Sequence, residues 1–331
     1  MEDAQKQLQE NPVESEQPEK LLYHYTTQAG LLGILEKKQI WATHYRYLND
    51  ISEGKIISDA LWGEFISRLH ASDSFWRELG IPRVSGTSSL KIAEDDMDIY
   101  DSGLSFLSQI SQQDTFVTSF SAEGDLLSQW RGYTDSLEGY SIGFSKDHLE
   151  KVAKSFSGHL SGDFACKTDS LVKCIYSNFD EKEKIGADCE AAVSAYIQNA
   201  KEIKLSYGGF GSLPGQLHQA ARNHFYPFLL RTIATKDGSF HEEAEWRFIF
   251  NSSSPDFEEL ADIQFRTGRS MITPYLQVPL GTELYPFAIK KIIVGPCPHP
   301  EEAIKAIKMY LKKSGMDTNV VEKSKIPYRN W

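Results

Sequence analysis

The stretch Leu22-Tyr23-His24-Tyr25-Thr26 opens the patterned part of the chain and decides its first structural unit. Its aromatic and aliphatic residues are typical of a buried strand, in which His24 is the single imidazole. Thr27 follows as an N-cap for a helix over 28–37, and Gln39 to His44 forms a second strand. The pattern predicts a strand-helix-strand unit in which His24 lies either in the core or in a pocket.

Composition places the chain among globular proteins without a membrane span. Forty per cent of the 331 residues are apolar and 12% are aromatic, which excludes wholesale disorder and allows a substantial core. No run of ~18 apolar residues appears, and the N-terminal residues lack the apolar region of a signal peptide. The formal net charge of −11 argues against a protein that coats phosphate backbones non-specifically. We expect a cytoplasmic protein.

The four cysteines are Cys166, Cys174, Cys189 and Cys297. They form no C-x-x-C pair, and no histidine lies at zinc-finger spacing from them. We therefore expect reduced thiols and predict no metal site.

The remaining pattern predicts a single α+β domain with a mixed, split β-sheet core. Residues 1–20 are rich in Glu, Gln, Lys and Asn and are expected to be a disordered tail, so the domain spans 21–331. Residues 179–234 are mostly helical and predict a large helical insertion on the sheet. Strand patterns recur along the domain, at 115–121, 139–145, 170–177, 245–251, 271–280 and 289–294.

The first candidate site residues are His24, Tyr25 and Thr26. A strand histidine whose ring nitrogens bond to the backbone is the ordinary structural explanation. The strand-helix-strand setting favours a second explanation, because a strand residue in that arrangement can hydrogen-bond a nucleotide ribose. The sequence leaves both explanations open.

Ser119 and Ser121 are the second candidates, in the strand TFVTSFS. Alternation puts both on the face opposite Phe120. Small hydroxyl residues at a strand end let a ligand approach closely and supply hydrogen-bond donors. A half-buried strand with a solvated serine edge is the structural alternative.

The third group is Glu243, Glu245 and Arg247, at the opening of a late strand. Two residues apart in a strand, Glu243 and Glu245 point to the same face, where like charges are destabilising unless a cation, an arginine or a substrate hydroxyl relieves them. The pair is a candidate for acid–base work or for holding a ribose. The alternative is a solvated edge with Arg247 in an ion pair.

Two further segments are weaker candidates. Gln129 and Arg131 flank a tryptophan expected in the core, and both could reach a cleft. The segment Ser324 to Arg329 (SKIPYR) is expected to be a docked tail, with Arg329 either in an ion pair or in contact with an anion.

Seven segments between about residues 21 and 329 resemble a known family. They are LYHYT, IWATHYRYLND with a glutamate three residues later, SFSAEGDLLSQW, EGYSIGF, F-x-x-E-x-E-W-R, IIVGP and SKIPYR. This ordered set is similar to the uncharacterised bacterial domain-of-unknown-function family 2971. The resemblance implies no settled activity, but it implies a bacterial protein of a kind often linked with phage defence or mobile elements.

A more distant resemblance is to ADP-ribosyltransferases. A histidine on the first strand, a serine on a middle strand and a Glu-x-Glu on a late strand are similar in order to that superfamily. The resemblance implies that NAD is the substrate and that His24 binds its ribose and phosphates. It also implies that the serines support the nicotinamide side, while Glu245 holds a ribose hydroxyl and Glu243 aids the acceptor.

The leading hypothesis is therefore an ADP-ribosyltransferase-like enzyme that splits NAD and modifies a nucleic-acid or protein acceptor, as a defence effector or toxin. A carboxylate near the glycosidic bond would stabilise the oxocarbenium-like state of its cleavage. Tyr25, Tyr45 and Tyr140 compete for stacking on nicotinamide. The expected catalytic residues are Glu245, Glu243 and His24, and the expected cofactor-binding residues are His24, Tyr25, Thr26, Ser119, Ser121 and Arg247.

Two other functions stay open. A metal-dependent nuclease would use Asp50, Glu53, Glu243 and Glu245 as oxygen ligands, although helix capping by Asn49 or Asp50 with Glu53 accounts for the first two. A non-catalytic ligand-sensing module of a defence complex would need no catalytic carboxylate and would work with a protein partner.

Overall fold

The computed structural model describes residues 19–48, 56–70, 97–112, 114–134, 138–161, 171–177, 179–209, 211–251, 262–268 and 270–327. These residues include helices, a mixed sheet and a second, two-stranded sheet, which confirms the predicted α+β class. The expectations for the first 18 residues, for Asn49, Asp50 and Glu53, and for Arg329 fall outside the described residues.

The elements follow the chain in this order. The strands are β1 (Leu21–Thr26), β2 (Gln39–His44), β3 (Thr115–Ser121), β4 (Tyr140–Ser145), β5 (Leu171–Lys173), β6 (Ile175–Ser177), β7 (Thr235–Asp237), β8 (Glu245–Asn251), β9 (Ile263–Thr267), β10 (Ile272–Pro279), β11 (Lys291–Val294) and β12 (Val321–Lys323). The helices are α1 (Gln28–Lys37), α2 (Ile56–His70), α3 (Met97–Gln112), α4 (Leu127–Tyr133), α5 (Lys146–Ser161), α6 (Phe179–Ser206), α7 (Leu213–Ala234) and α8 (Pro300–Lys313). Within the described ranges, 3-10 helices cover Tyr45–Tyr47 and Gly238–Glu243.

One strand, β3, organises the main sheet. Its path runs β12-β11-β4-β1-β3-β2-β10-β9, and β8 with β5 beyond it also pairs with β3. Because β8 pairs with β3 from Thr115 to Ser121, β1 and β2 both use the other edge of β3. The sheet is mixed, since β11 and β12 are parallel while the other pairs in this sheet are antiparallel.

The two largest hydrophobic cores of the described residues stabilise different parts of the fold. The first lies against the sheet and takes in α1, α5 and α8, with Phe120 and Phe248 among its fully buried members. The second joins α2, α3, α6 and α7 around Phe65, Tyr196 and Phe225. The helices of the predicted insertion therefore pack with α2 and α3. Among the described helices, none combines the length and apolar character needed to cross a bilayer.

Local signals set several boundaries. The Thr27 hydroxyl accepts a hydrogen bond from the Gly30 amide at 3.2 Å, so the predicted N-cap of α1 is present. After α8, Gly315 adopts a φ of 70°, a left-handed conformation that glycine enters without strain. The single strand predicted over 170–177 is wrong, because β5 pairs with β8 in the main sheet whereas β6 leaves it to pair with β7.

Truncation of a core aromatic tests the first core. Phe248→Ala removes a fully buried ring that lies 5.0 Å from the Phe120 ring, between centroids, and we expect it to lower the free energy of unfolding by about 3–5 kcal/mol. Urea denaturation measures the change. Leu205→Ala, at a side chain that is 89% exposed, is the control and should change it by under about 0.5 kcal/mol. Equal effects of the two variants would contradict this assignment of the core.

Candidate functional site

A gap in the sheet opens where β1 and β2 share the edge of β3. β1 reaches this edge at Ser121, through Tyr23, and β2 reaches it at Val117, through Thr43. Backbone groups of alternate strand residues point to the same edge, so the groups of Ser119 also point there, between the two strands. Neither β1 nor β2 pairs with Ser119. We call this stretch the β1/β2 gap.

A pocket lies in the β1/β2 gap. Its volume is about 590 Å³, within the range of about 300–1,000 Å³ that is typical of small-molecule and cofactor sites. Residues of β1, α1, β2 and β3 form most of its wall. The gap lets side chains from both sheet faces reach the pocket, because Tyr23 and Tyr25 lie on one face of β1 and His24 and Thr26 on the other.

Seven of the eight predicted site residues line this one pocket. They are His24, Tyr25, Thr26, Ser119, Ser121, Glu243 and Glu245. Arg247 is not in the wall, because its side chain lies behind Glu245 and is only 1% exposed. Of the weaker candidates, Gln129 lines the pocket and Arg131 does not.

His24 combines the two explanations that the sequence left open. Its Nδ1 lies 3.0 Å from the Ser119 carbonyl oxygen, and its ring packs edge-on against Phe120 with the centroids 5.9 Å apart. A carbonyl can only accept, so Nδ1 carries the proton and Nε2 of the neutral ring is an acceptor. Burial lowers the pKa of His24, which favours that neutral form. Within the described residues Nε2 has no hydrogen-bond partner, so it is available to a hydroxyl donor in the pocket.

A buried ion cluster supports the carboxylate side of the pocket. Arg247 donates from Nε and Nη2 to the two Glu245 carboxylate oxygens, at 2.8 and 3.0 Å. Lys236 Nζ lies 3.0 Å from Glu245 Oε2 and 2.6 Å from Glu243 Oε2. Lys236, Glu245 and Arg247 are each at most 3% exposed. Two cations thus balance two anions where solvent is excluded.

The pKa values of the two carboxylates are shifted in opposite directions. Burial alone raises the pKa of Glu245, but Arg247 and then Lys236 outweigh burial and hold that pKa at about 2. Burial raises the pKa of Glu243 above its ordinary value, against the opposing effect of Lys236. Burial also lowers the pKa of Lys236, yet Glu245, Tyr133 and Glu243 together outweigh it and raise the value overall. Glu245 is therefore the permanent anion, and Glu243 is the carboxyl closer to exchanging a proton.

Glu243 and Glu245 do not share a strand, so the prediction that they do is wrong. β8 begins at Glu245, and Glu243 ends the preceding 3-10 helix. Ala244 between them has a φ of 44°, in the left-handed region, so the alternation of a strand does not apply. The carboxylates meet because both bind Lys236, which reaches them from β7.

The serine hydroxyls are partly committed to the protein. Ser121 Oγ donates to the Glu243 carbonyl oxygen at 2.7 Å and accepts from the Glu123 amide at 3.0 Å. The Ser119 hydroxyl lies near Glu245 and contributes to its low pKa. Ser121 thus fixes the loop that carries Glu243, while Ser119 lies between His24 and Glu245.

Three kinds of pocket residue were not predicted from the sequence. Of the competing tyrosines only Tyr25 lines the pocket, and its hydroxyl donates to the Glu123 carbonyl oxygen, whereas Tyr23, Tyr47 and Tyr133 were not proposed and do line it. Trp41 and Arg266 were also missed. Contacts between strands far apart in the sequence leave no periodic pattern, so the sequence could not have identified these pocket residues.

The alternative metal site gains no support from the described residues. Lys236 already binds an oxygen of both Glu243 and Glu245, and Asp50 and Glu53 are not described. In the part of the chain that the structure covers, no three His, Cys, Asp or Glu side chains are grouped to hold a metal ion.

Comparison with known proteins gives one match. Residues 129–248 match the family described as Protein of unknown function (DUF2971). The match covers just over a third of the chain and includes Gln129, Glu243, Glu245 and Arg247, but neither His24 nor Ser119. The chain is thus similar to this family over the carboxylate side of the pocket and the long helices. No curated protein and no solved structure matches the chain.

Removal of the permanent anion tests the ion cluster. Glu245→Gln leaves Arg247 and Lys236 buried with one anion between them, and we expect it to lower the free energy of unfolding by about 3–5 kcal/mol at pH 7. Glu301→Gln breaks an exposed ion pair with Lys323 and is the control, with an expected loss under about 1 kcal/mol.

The pH dependence of stability in wild type and Glu245→Gln gives a second test. The folded pKa of Glu245, about 2, lies below its ordinary value of 4.5, so its stabilising contribution is complete above pH 4.5 and is lost as the pH falls toward 2. The stability difference between wild type and Glu245→Gln should shrink over that window. A difference that stays constant from pH 6 to pH 2.5 would contradict the ionised cluster.

Proposed function

We propose that the chain is an ADP-ribosyltransferase-like enzyme that binds NAD in the β1/β2 gap and transfers ADP-ribose to a nucleic-acid or protein acceptor. The observation that carries the proposal is the convergence of His24, Ser119 and Glu245 on one pocket. As the family resemblance implies, a role as a bacterial anti-phage effector or toxin fits this activity.

The His24 side of the pocket suits a ribose. A neutral imidazole with Nδ1 bound to the Ser119 carbonyl presents Nε2 as an acceptor for a ribose hydroxyl. The hydrogen bond to Ser119 fixes the plane of the His24 ring before any ligand binds, so the side chain loses little conformational entropy on binding.

The carboxylate side suits cleavage of the bond to nicotinamide. In the proposed reaction the bond between ribose C1′ and the nicotinamide nitrogen breaks, and nicotinamide leaves with the bonding electron pair. Positive charge then develops on the ribose, where Glu245 is a fixed anion that can stabilise it. Lys236 and Arg247 hold Glu245 in place, so the field exists before the reaction begins.

Glu243 suits the second half of the transfer. An acceptor hydroxyl or amine forms its new bond to C1′ and must lose a proton. A carboxylate whose pKa is raised by burial accepts a proton more readily than an ordinary glutamate does. Glu243 also has the more accessible side chain of the two, 13% exposed against 4% for Glu245.

The activity is tested with NAD labelled in the nicotinamide ring and, separately, in the adenine. The full chain, incubated with cell extract, should release labelled nicotinamide and transfer the adenine label to a macromolecule. Both signals should survive EDTA, whereas a metal-dependent nuclease would be inactivated. Absence of NAD binding and of nicotinamide release from folded protein would contradict the proposal, and binding without release would favour a ligand-sensing module.

A matched histidine pair tests the site. His24→Phe keeps the packing against Phe120 but removes the Nε2 acceptor, and we expect at least a tenfold loss of affinity for NAD. His148→Phe is the control, because His148 Nε2 also bonds a backbone carbonyl, that of Leu280, at 2.9 Å but lies outside the pocket. Calorimetric titration should show the loss for His24→Phe only, and equal losses would assign His24 a purely structural role.

A further inference from the structure

The pocket is polarised along β3. Its carboxylates lie at the Ser121 end, because Ser121 pairs with Glu245 on one side. At the Val117 end β2 contributes Thr43, whose hydroxyl accepts a hydrogen bond from Arg266 Nη2 at 3.0 Å. Val117 and Ser121 are four residue steps apart along the strand, about 13 Å at ~3.3 Å per residue.

Both ends open on the same face of the sheet. Residues directly opposite each other in a sheet share a face, which places Val117, Thr43, Ser121 and Glu245 together. Arg266 is joined to this set through the Thr43 hydroxyl. A ligand lying along this face of β3 therefore meets a carboxylate at one end and a guanidinium at the other.

The Arg266 guanidinium is positioned but not neutralised. Its carbon atom Cζ lies 5.6 Å from the centre of the Trp41 ring, and Trp41 in turn packs on Tyr275 with the centroids 4.5 Å apart. Among the described residues no carboxylate lies within ion-pair distance of Arg266. A guanidinium held by a hydroxyl and an indole, in a chain of net charge −11, keeps most of its donors for an anionic ligand.

We propose that Arg266, on the surface formed by Trp41 and Thr43, is the phosphate-binding subsite of the pocket and takes the diphosphate of a nucleotide. That the nucleotide is NAD rests on the proposed function. The chemistry of the subsite is independent of the proposed function, since a planar guanidinium binds two phosphate oxygens at once whatever the rest of the ligand is. Trp41 is 43% exposed to solvent, so its ring offers a surface on which a base can stack.

The subsite fixes the direction of the ligand. The diphosphate lies at the Val117 end, so the glycosidic bond to nicotinamide lies toward Glu243 and Glu245. The anionic phosphates then face Arg266, which no described carboxylate neutralises. In the reverse orientation the phosphates would lose Arg266 and lie beside Glu243 and Glu245, whose charges Lys236 and Arg247 already balance.

The experiment compares ADP with adenosine, because neither contains the bond that the proposed enzyme would cleave. Calorimetric titration of the wild-type chain should show ADP binding more tightly than adenosine. Arg266→Gln should weaken ADP binding at least tenfold and leave adenosine binding unchanged, since only the phosphates contact the guanidinium. Arg222→Gln, in the helical core region and outside the pocket, is the matched control and should bind ADP as the wild type does.

The outcomes separate the subsite from the activity. Arg266-dependent ADP binding without nicotinamide release from NAD would support the subsite and contradict the transferase. NAD cleavage with the same KM in wild type and Arg266→Gln, together with unchanged ADP affinity, would support the transferase and overturn the subsite. Failure of ADP to bind the wild-type chain would also overturn the subsite.

Discussion

The pocket depends on one constraint, the shared edge of β3. A backbone carbonyl in a partly buried strand needs a hydrogen-bond donor, and Ser119 has no strand partner on this edge to supply it. His24 Nδ1 supplies the donor from β1, and the Thr118 hydroxyl bonds the Trp41 carbonyl oxygen of β2 at 2.8 Å. Side chains thus satisfy the backbone carbonyl groups that a continuous ladder of strand hydrogen bonds would otherwise satisfy. The space between β1 and β2 stays open.

The ion cluster joins the pocket to the helices. Arg247 Nη1 donates to the Ile233 carbonyl oxygen near the end of α7 at 2.6 Å, while Nε of the same guanidinium binds Glu245. Tyr176, on β6, accepts from the Glu245 amide at 2.6 Å. The carboxylate side of the pocket is therefore built where the long helices return to the sheet. This explains why polar residues here are buried without being unsatisfied, and why Glu245 is both a structural and a functional candidate.

The sequence predicted the features that local chemistry determines. Thr27 caps α1 and the strand predicted over 115–121 is present as β3, because both depend on neighbours within a few residues. The pairing of β1 and β2 with a single edge could not be predicted in the same way. It depends on hydrogen bonds between segments about 75 to 100 positions apart in the printed sequence, which leave no periodicity behind.

Some residues of the candidate site were likewise predictable from the sequence and others were not. His24, Ser119 and Glu245 were chosen for their chemistry and their order, and the fold brings them to one pocket. Lys236 was missed because it belongs to a three-residue strand that pairs with another three-residue strand. Arg266 was missed because β9 is mostly exposed and shows no clear alternation. Both are cations that complete the charge pattern, and only the tertiary structure reveals what they face.

Hydrogen–deuterium exchange of the full chain with and without NAD tests the central claim that the β1/β2 gap is the ligand site. Bound NAD should slow amide exchange in residues 23–27, 39–43 and 117–121, which form the rim of the gap. The helices α2 and α3, remote from it, should exchange at the same rate in both samples. Unchanged exchange at the three rim segments under saturating NAD, or protection confined to α2 and α3, would contradict the account.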